Sequence, residues 1–222
     1  DESNIALYTA LDQHRSLARL DGHDARSRLL EVSADRRLAI SADDSLLVIV
    51  WDLAARRLLH RFDEHDGPIR ALGFSPDATL ALSASDDGTV RLWRTSDGAT
   101  AGILRHAAAV PFAAFQPSGA GVITLCDDGL VREWDLRSLE IGRTLATLGR
   151  RAVAIAATPD LRTLAVLDEG MSAAIIDLGS REPMRRIALS TDAPPPYYNV
   201  EQWYLPSIAL SADGALALTR DL

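Results

Sequence analysis

The side chains that could do chemistry in this chain are its histidines, its paired acids and one thiol. Cys126 follows His106 in a sequence with no other cysteine, the raw material of a thiolate and imidazole pair. Its place at the end of a β-type run, in the slot that Ser85 fills one period earlier, makes it a small core or turn residue instead. His60 and His65 stand five apart among Asp63, Glu64 and Asp66, a density of ligands that would suit a metal ion. His65, however, recurs as His23 and His106 at steps of 42 and 41 residues, so it answers first to structure. The acid pairs Asp43-Asp44, Asp86-Asp87 and Asp127-Asp128 sit at turn signals, where Asp bonds its own backbone. The glycines mark turns, and none builds a loop that would cradle a phosphate. No catalytic residue, metal or cofactor is expected.

Those residues are positioned by a repeat. Trp51, Trp93 and Trp134 keep the same steps of 42 and 41 residues. Twelve residues after each His comes a turn, Ser33-Ala34-Asp35, Ser75-Pro76-Asp77 or Gln116-Pro117-Ser118; six further on sits a hydroxyl, Ser41, Ser83 or Thr124, and ten beyond it the Trp. In the stretch from Ser83 to Arg94, Asp86-Asp87-Gly88 separates two apolar runs, so the flanks read as a β-hairpin. One unit is therefore His, strand, turn, strand, turn, strand ending in Trp, followed by an outer strand.

This period of four short strands per copy resembles the WD repeat of β-propellers. The resemblance rests on Gly22-His23, Trp51-Asp52, the run D-D-G-T-V-R-L-W-R from Asp86, and D-G-L-V-R-E-W-D from Asp128 to Asp135. It implies that Trp indole, strand hydroxyl, His ring and turn Asp form one hydrogen-bonded chain across each blade. Residue by residue, that set falls on His65, Ser83, Asp87 and Trp93, and on His106, Thr124, Asp128 and Trp134. In the first copy His23, Ser41 and Trp51 fit, but counting puts Ser45 in the Asp slot with Asp44 one residue early. Either that turn is shorter or the link is broken, and Asp44 is taken to fill the role. In a fourth copy the four slots hold Leu148, Val166, Gly170 and Ile176, a set that has exchanged its polar chain for an apolar one.

The expected fold is all-β, a propeller of four-stranded antiparallel blades. A partial blade covers 1–20, with Tyr8 in the Trp slot. Full blades follow at about 21–62, 63–104 and 105–146, the first with strands near 27–33, 37–42 and 45–51. A degenerate blade covers about 147–190, a Pro and aromatic insertion 191–206, and a partial blade 207–222. This is about five blades' worth, beginning with two outer strands and ending with two inner ones. Because the resembling family mostly builds seven blades, the chain is read as an arc of a larger propeller rather than a five-bladed ring.

At 222 residues and 47% hydrophobic composition the chain can bury a substantial core. Its 23 basic and 31 acidic residues give a net charge of −8 without a basic stripe, which argues against nucleic acid as a partner. No apolar run approaches a membrane span, and a lone cysteine fits a cytoplasmic protein. The expected function is a non-enzymatic protein-interaction scaffold or sensor. Its candidate partner-binding residues are Asp24, Asp43, Asp66, Arg70, Asp86 and Asp127 on the turn-bearing face, which together would make that face acidic. Tyr197, Tyr198 and Trp203 in the insertion are further candidates, because Pro194-Pro195-Pro196-Tyr197 and Pro195-Pro196-Tyr197-Tyr198 fit the PPxY pattern that WW domains bind. The competing reading of the insertion is a stiff loop whose aromatics pack on a blade. An alternative for the whole is a regulatory propeller fused to a nucleotide-switch ATPase, kinase or caspase-like protease outside this sequence.

Overall fold

A computed structural model describes residues 5–8, 16–170, 172–179, 184–188, 207–210 and 216–219. Strands β1 (Ile5–Tyr8) and β2 (Ser16–Leu20) pair as a two-stranded antiparallel sheet. The next sheet is β3 (Ser27–Val32), β4 (Leu38–Asp43), β5 (Val48–Asp52) and β6 (Arg57–Phe62), in chain order. The same meander recurs in β7 (Ile69–Phe74), β8 (Leu80–Ser85), β9 (Thr89–Arg94) and β10 (Thr100–Arg105). It recurs again in β11 (Phe112–Phe115), β12 (Gly121–Leu125), β13 (Leu130–Asp135) and β14 (Glu140–Thr147). The fourth such sheet is β15 (Ala152–Ala157), β16 (Thr163–Asp168), β17 (Ser172–Asp177) and β18 (Met184–Ala188). The pair β19 (Ser207–Leu210) and β20 (Leu216–Thr219) completes the set. The described residues contain no helix, so none is long and apolar enough to cross a membrane.

Burial explains why the sequence pattern changes from strand to strand. The second strand of each meander is packed on both faces, so β4, β8, β12 and β16 are buried almost throughout and read as continuous apolar runs. Outer strands such as β6 and β10 keep much of their length half-buried or exposed. The third strand of the first sheet begins three residues later than the alternation from 45 predicts, because Asp43 holds Ser45 and Leu47 in the preceding turn through their backbone N–H groups.

The chain divides into two compact units, one of Asp1–Cys126 with Arg132–Arg143, the other of Asp127–Val131 with Thr144–Leu222. In the first unit, Ile40, Ala42, Val48, Val50 and Phe62 meet Leu72, Ala81 and Trp93 in one apolar layer. Phe62 stacks on Trp93 at 4.1 Å between ring centroids. A second layer joins Leu82, Val90, Leu92 and Leu104 to Val110, Phe115, Val122 and Trp134. In the second unit Ala165 and Leu167 pack with Ala154, Ala156 and Ile175.

The first turn of each meander is built by side chain and backbone together. Ser33, Ser75 and Thr158 each donate a hydroxyl proton to an Asp two residues on, at 2.6, 2.6 and 2.7 Å. Asp35, Asp77 and Asp160 in turn accept from the backbone N–H of Arg37, Thr79 and Arg162. The residue between bends into the left-handed region, at φ 58° for Arg36, 56° for Ala78 and 51° for Leu161. The third meander places Gly119 there, where positive φ costs nothing.

Candidate functional site

Each hydroxyl slot anchors a buried hydrogen-bonded set. In the second sheet Trp93 Nε1 donates to Ser83 Oγ at 3.0 Å, Ser83 lies 2.8 Å from His65 Nε2, and His65 Nδ1 lies 2.7 Å from Asp87 Oδ2. Ser83 has one proton, so accepting from Trp93 and donating to His65 Nε2 leaves the ring proton on Nδ1, aimed at the carboxylate. Burial pushes the His65 pKa below the ordinary value, outweighing the upward pull of Asp87, which agrees with that neutral tautomer. Burial also pushes the Asp87 carboxyl up, but hydrogen bonds from Thr89 and His65 prevail and hold it at about 2.

The first sheet repeats the set with one correction. Trp51 Nε1 donates to Ser41 Oγ at 2.7 Å, and Ser41 lies 2.6 Å from His23 Nε2. The carboxylate at His23 Nδ1 is Asp43, at 2.8 Å, and not Asp44. Strand geometry gives the reason: Asp43 stands two residues beyond Ser41 on the same face of β4, whereas Asp44 lies past the strand end. Asp43 is fully enclosed, so it also leaves the set of partner-binding candidates. Burial raises its pKa, and hydrogen bonds from Ser45, His23 and Leu47 bring it below the usual value. Asp44 faces out and pairs with Arg28.

In the third sheet His106 Nε2 and Trp134 Nε1 both lie 2.9 Å from Thr124 Oγ1. Asp128 is exposed and accepts from the backbone of Leu130 at 3.0 Å. Cys126 is buried and donates its thiol to the Ala108 carbonyl, as Ser85 donates to Gly67, so it serves as a turn anchor. His60 donates Nε2–H to the Thr95 carbonyl at 2.9 Å, well occupied apart from His65. Among the described residues no three His, Cys, Asp or Glu side chains gather into a metal-binding group.

The fourth sheet keeps more polarity than its sequence suggests. Asp168, two residues after Val166 as Asp43 is after Ser41, is buried and accepts from the backbone of Gly170 and Ser172, both at 2.9 Å. Gly170 is bare because a Cβ there would sit 1.8 Å from Arg150 Nη1. The turn acid is therefore retained at Asp168, and Gly170 is the clearance for an arginine rather than a lost aspartate.

The outward side of the same turns carries a second repeating feature. The pairing of β3 with β4 skips Arg28, that of β7 with β8 skips Arg70, and that of β15 with β16 skips Val153. Each is a β-bulge, and a bulge re-aims its side chain out of the ladder. Arg28 reaches Asp44, and Arg70 takes Asp86 with two nitrogens, Nε at 2.9 Å from Oδ1. Hydrogen bonding to Asp44 raises the Arg28 pKa. Arg61 holds the exposed Asp24 at 3.1 Å, and in the second unit Arg151 holds Asp127 at 2.7 Å. Asp66 is exposed, and its backbone N–H donates to Asp87 at 3.1 Å. Of the acids expected to make that face acidic, Asp24 and Asp86 in the first unit and Asp127 in the second are thus each compensated by an arginine. A cleft of about 250 Å³ opens between Arg28 and Arg70, over Leu29, Ala42, Leu46, Pro68 and Ile69. Neither the bulges nor these ion pairs were expected from the sequence, and the recurrence of Arg28 and Arg70 before Asp44 and Asp86 at one spacing was the available signal. Tyr197, Tyr198 and Trp203 lie outside the described residues.

No curated protein matches the chain. Residues 56–94, from the outer strand of the first meander through β9, match the family model described as WD40, WD domain, G-beta repeat. Four four-stranded antiparallel sheets and that match agree on one identification: the chain carries a WD repeat and is consistent with the WD-repeat family.

Proposed function

We propose that this chain is a protein-interaction module without catalysis of its own, and that its partner docks on the turn-bearing face. WD repeats in general mediate protein–protein contacts, which supports the coarse reading. The observation that carries the finer one is the cleft with Arg28 and Arg70 at its sides and Leu29, Leu46, Pro68 and Ile69 along it. Its ion pairs are partly exposed, so a partner can exchange into them at little loss, while the apolar lining rewards burial. Leu46 adds to this reading, because it holds φ 70° where Gly88 and Gly129 occupy the matching turns. A leucine kept in the left-handed region beside a cleft is the kind of strain that recognition sites retain.

The test is affinity capture with the wild-type chain and with Arg28→Glu/Arg70→Glu. Charge reversal is expected to release the partner, whereas Arg56→Glu, on a turn between β5 and β6, retains it. A partner held equally by both reversed arginines refutes the assignment. Asp86→Lys and Asp127→Lys extend the same comparison to the acids of this face.

A further inference from the structure

Arg91 stands on β9 across from Ser83 on β8 and from Ile103 on β10, so its side chain shares a face with Thr89 and Trp93. Arg105 pairs with Thr89 on that face, one diagonal step from Arg91, a separation of roughly 7–8 Å between backbones. The Arg91 guanidinium carbon lies over the Trp93 ring at 6.0 Å from its centroid. Its Nε is buried and has no acceptor. Neither Arg91 nor Arg105 has an ion-pair partner among the described residues, although Arg28, Arg61, Arg70, Arg94, Arg143 and Arg151 each hold a carboxylate.

The acids that could have compensated them are placed otherwise. Asp87 is committed to His65, Thr89 and the backbone of Asp66. Asp63, Glu64 and Asp66 flank His65 in sequence and pair with neither arginine. A buried N–H without an acceptor is costly, and Arg91 Nε is the one arginine nitrogen among the described residues left in that state, on a half-buried residue with the exposed Arg105 beside it. A planar guanidinium fork is suited to carboxylate and phosphate oxygens, which accept two parallel N–H bonds.

We propose that Arg91 and Arg105 form an oxyanion-binding site on the flank of the β9–β10 hairpin, taking a phosphate or carboxylate carried by a side chain of a protein partner. The site is separate from the turn-bearing cleft and stands whether or not that cleft docks a partner. The charge of Arg91 already contributes to lowering the His65 pKa. An anion seated on Arg91 offsets that charge, so His65 reports occupancy.

The experiment is an NMR titration of the wild-type chain, following the arginine Nε–H signals and the His65 ring. The probes are a short glycine peptide bearing phosphoserine, the same peptide bearing glutamate, and inorganic phosphate. The expected result is a saturable shift of the Arg91 Nε–H with one or both peptides, with a rise in the His65 pKa. Arg91→Lys keeps the charge and loses the fork, so it is expected to weaken binding about tenfold or more, and Arg105→Gln to weaken it as well. Which peptide binds distinguishes phosphate from carboxylate as the natural group. An Arg91 Nε–H that moves with neither peptide overturns the proposal, even if inorganic phosphate moves it, and so does equal affinity in folded Arg91→Lys and wild type. The wild-type titration decides the matter by itself if a variant does not fold.

Discussion

Ser83→Ala tests the buried set at its hub. The lost Oγ is the acceptor for Trp93 Nε1 at 3.0 Å and the partner of His65 Nε2 at 2.8 Å, and all three side chains are buried. Stranding a buried polar group costs about 1–3 kcal/mol. Two are stranded here and the volume lost is one oxygen atom, so the variant is expected to lose about 2–4 kcal/mol. Urea unfolding followed by tryptophan fluorescence measures it. Trp93→Phe removes the donor on one side of the hub, so the two substitutions share a loss and are expected to couple by about 1 kcal/mol or more in a double-mutant cycle. In the second unit the corresponding slots hold Val166 and Ile176, so Ile176→Phe acts through packing alone. A loss below about 1 kcal/mol for Ser83→Ala, or strict additivity with Trp93→Phe, would refute the reasoning.

Three further outcomes follow from the same geometry. Gly67→Ala is expected to lose about 1–3 kcal/mol, because the new Cβ would stand 2.8 Å from the Asp87 backbone nitrogen, whereas the shortest contacts of Gly170→Ala are with the end of the Arg150 side chain, which can turn aside, with Asp168 Oδ1 next at 3.2 Å, so it loses less; thermal unfolding of both variants checks the order. Ala78→Gly is expected to gain up to about 1 kcal/mol by relieving a left-handed φ of 56°, measured as a higher urea midpoint. Stability is expected to fall on acidification in two stages, measured as urea midpoints against pH. His65 binds its proton less readily when folded, so its contribution is present above the unfolded value of 6.5 and lost as pH falls below it; Asp87, held at about 2, contributes above 3.8 and loses that contribution as pH drops toward 2, a stage absent in Asp87→Asn.

The turns, strands and hydroxyl slots were legible because they recur: Ser41, Ser83 and Thr124 at one offset from Trp51, Trp93 and Trp134 required one register to repeat. The acids were harder, since counting along the chain does not say which of two adjacent aspartates faces inward. Asp43 and Asp44 exchange the roles expected of them because β4 runs through Asp43, and the period of two then aims Asp43 at His23. The same offset identifies Asp168, which the longer count from Asp87 passes over. The three inner-strand bulges were harder to read, because a bulge is a mismatch between two strands and no single run of residues displays it; only the shared spacing of Arg28 to Asp44 and Arg70 to Asp86 hinted at two of them. Gly170 was read as a vacancy in a pattern, when its missing Cβ is what admits Arg150.

The inner-strand bulge separates what a meander must keep from what it can vary. Arg28, Arg70 and Val153 stand outside the ladder while Leu29, Ala71 and Ala154 beside them resume it. Pro111, one repeat after Arg70, occupies the matching position in the third copy. A cation and an aliphatic group therefore share one address in the paired ladders, while the third copy has an imino acid there and its pairing starts just after it, at Phe112. In the first two four-stranded sheets the bulged side chain can thus change without touching the indole, hydroxyl and imidazole beneath it, so the outward chemistry of a copy and its buried scaffold are free to vary apart.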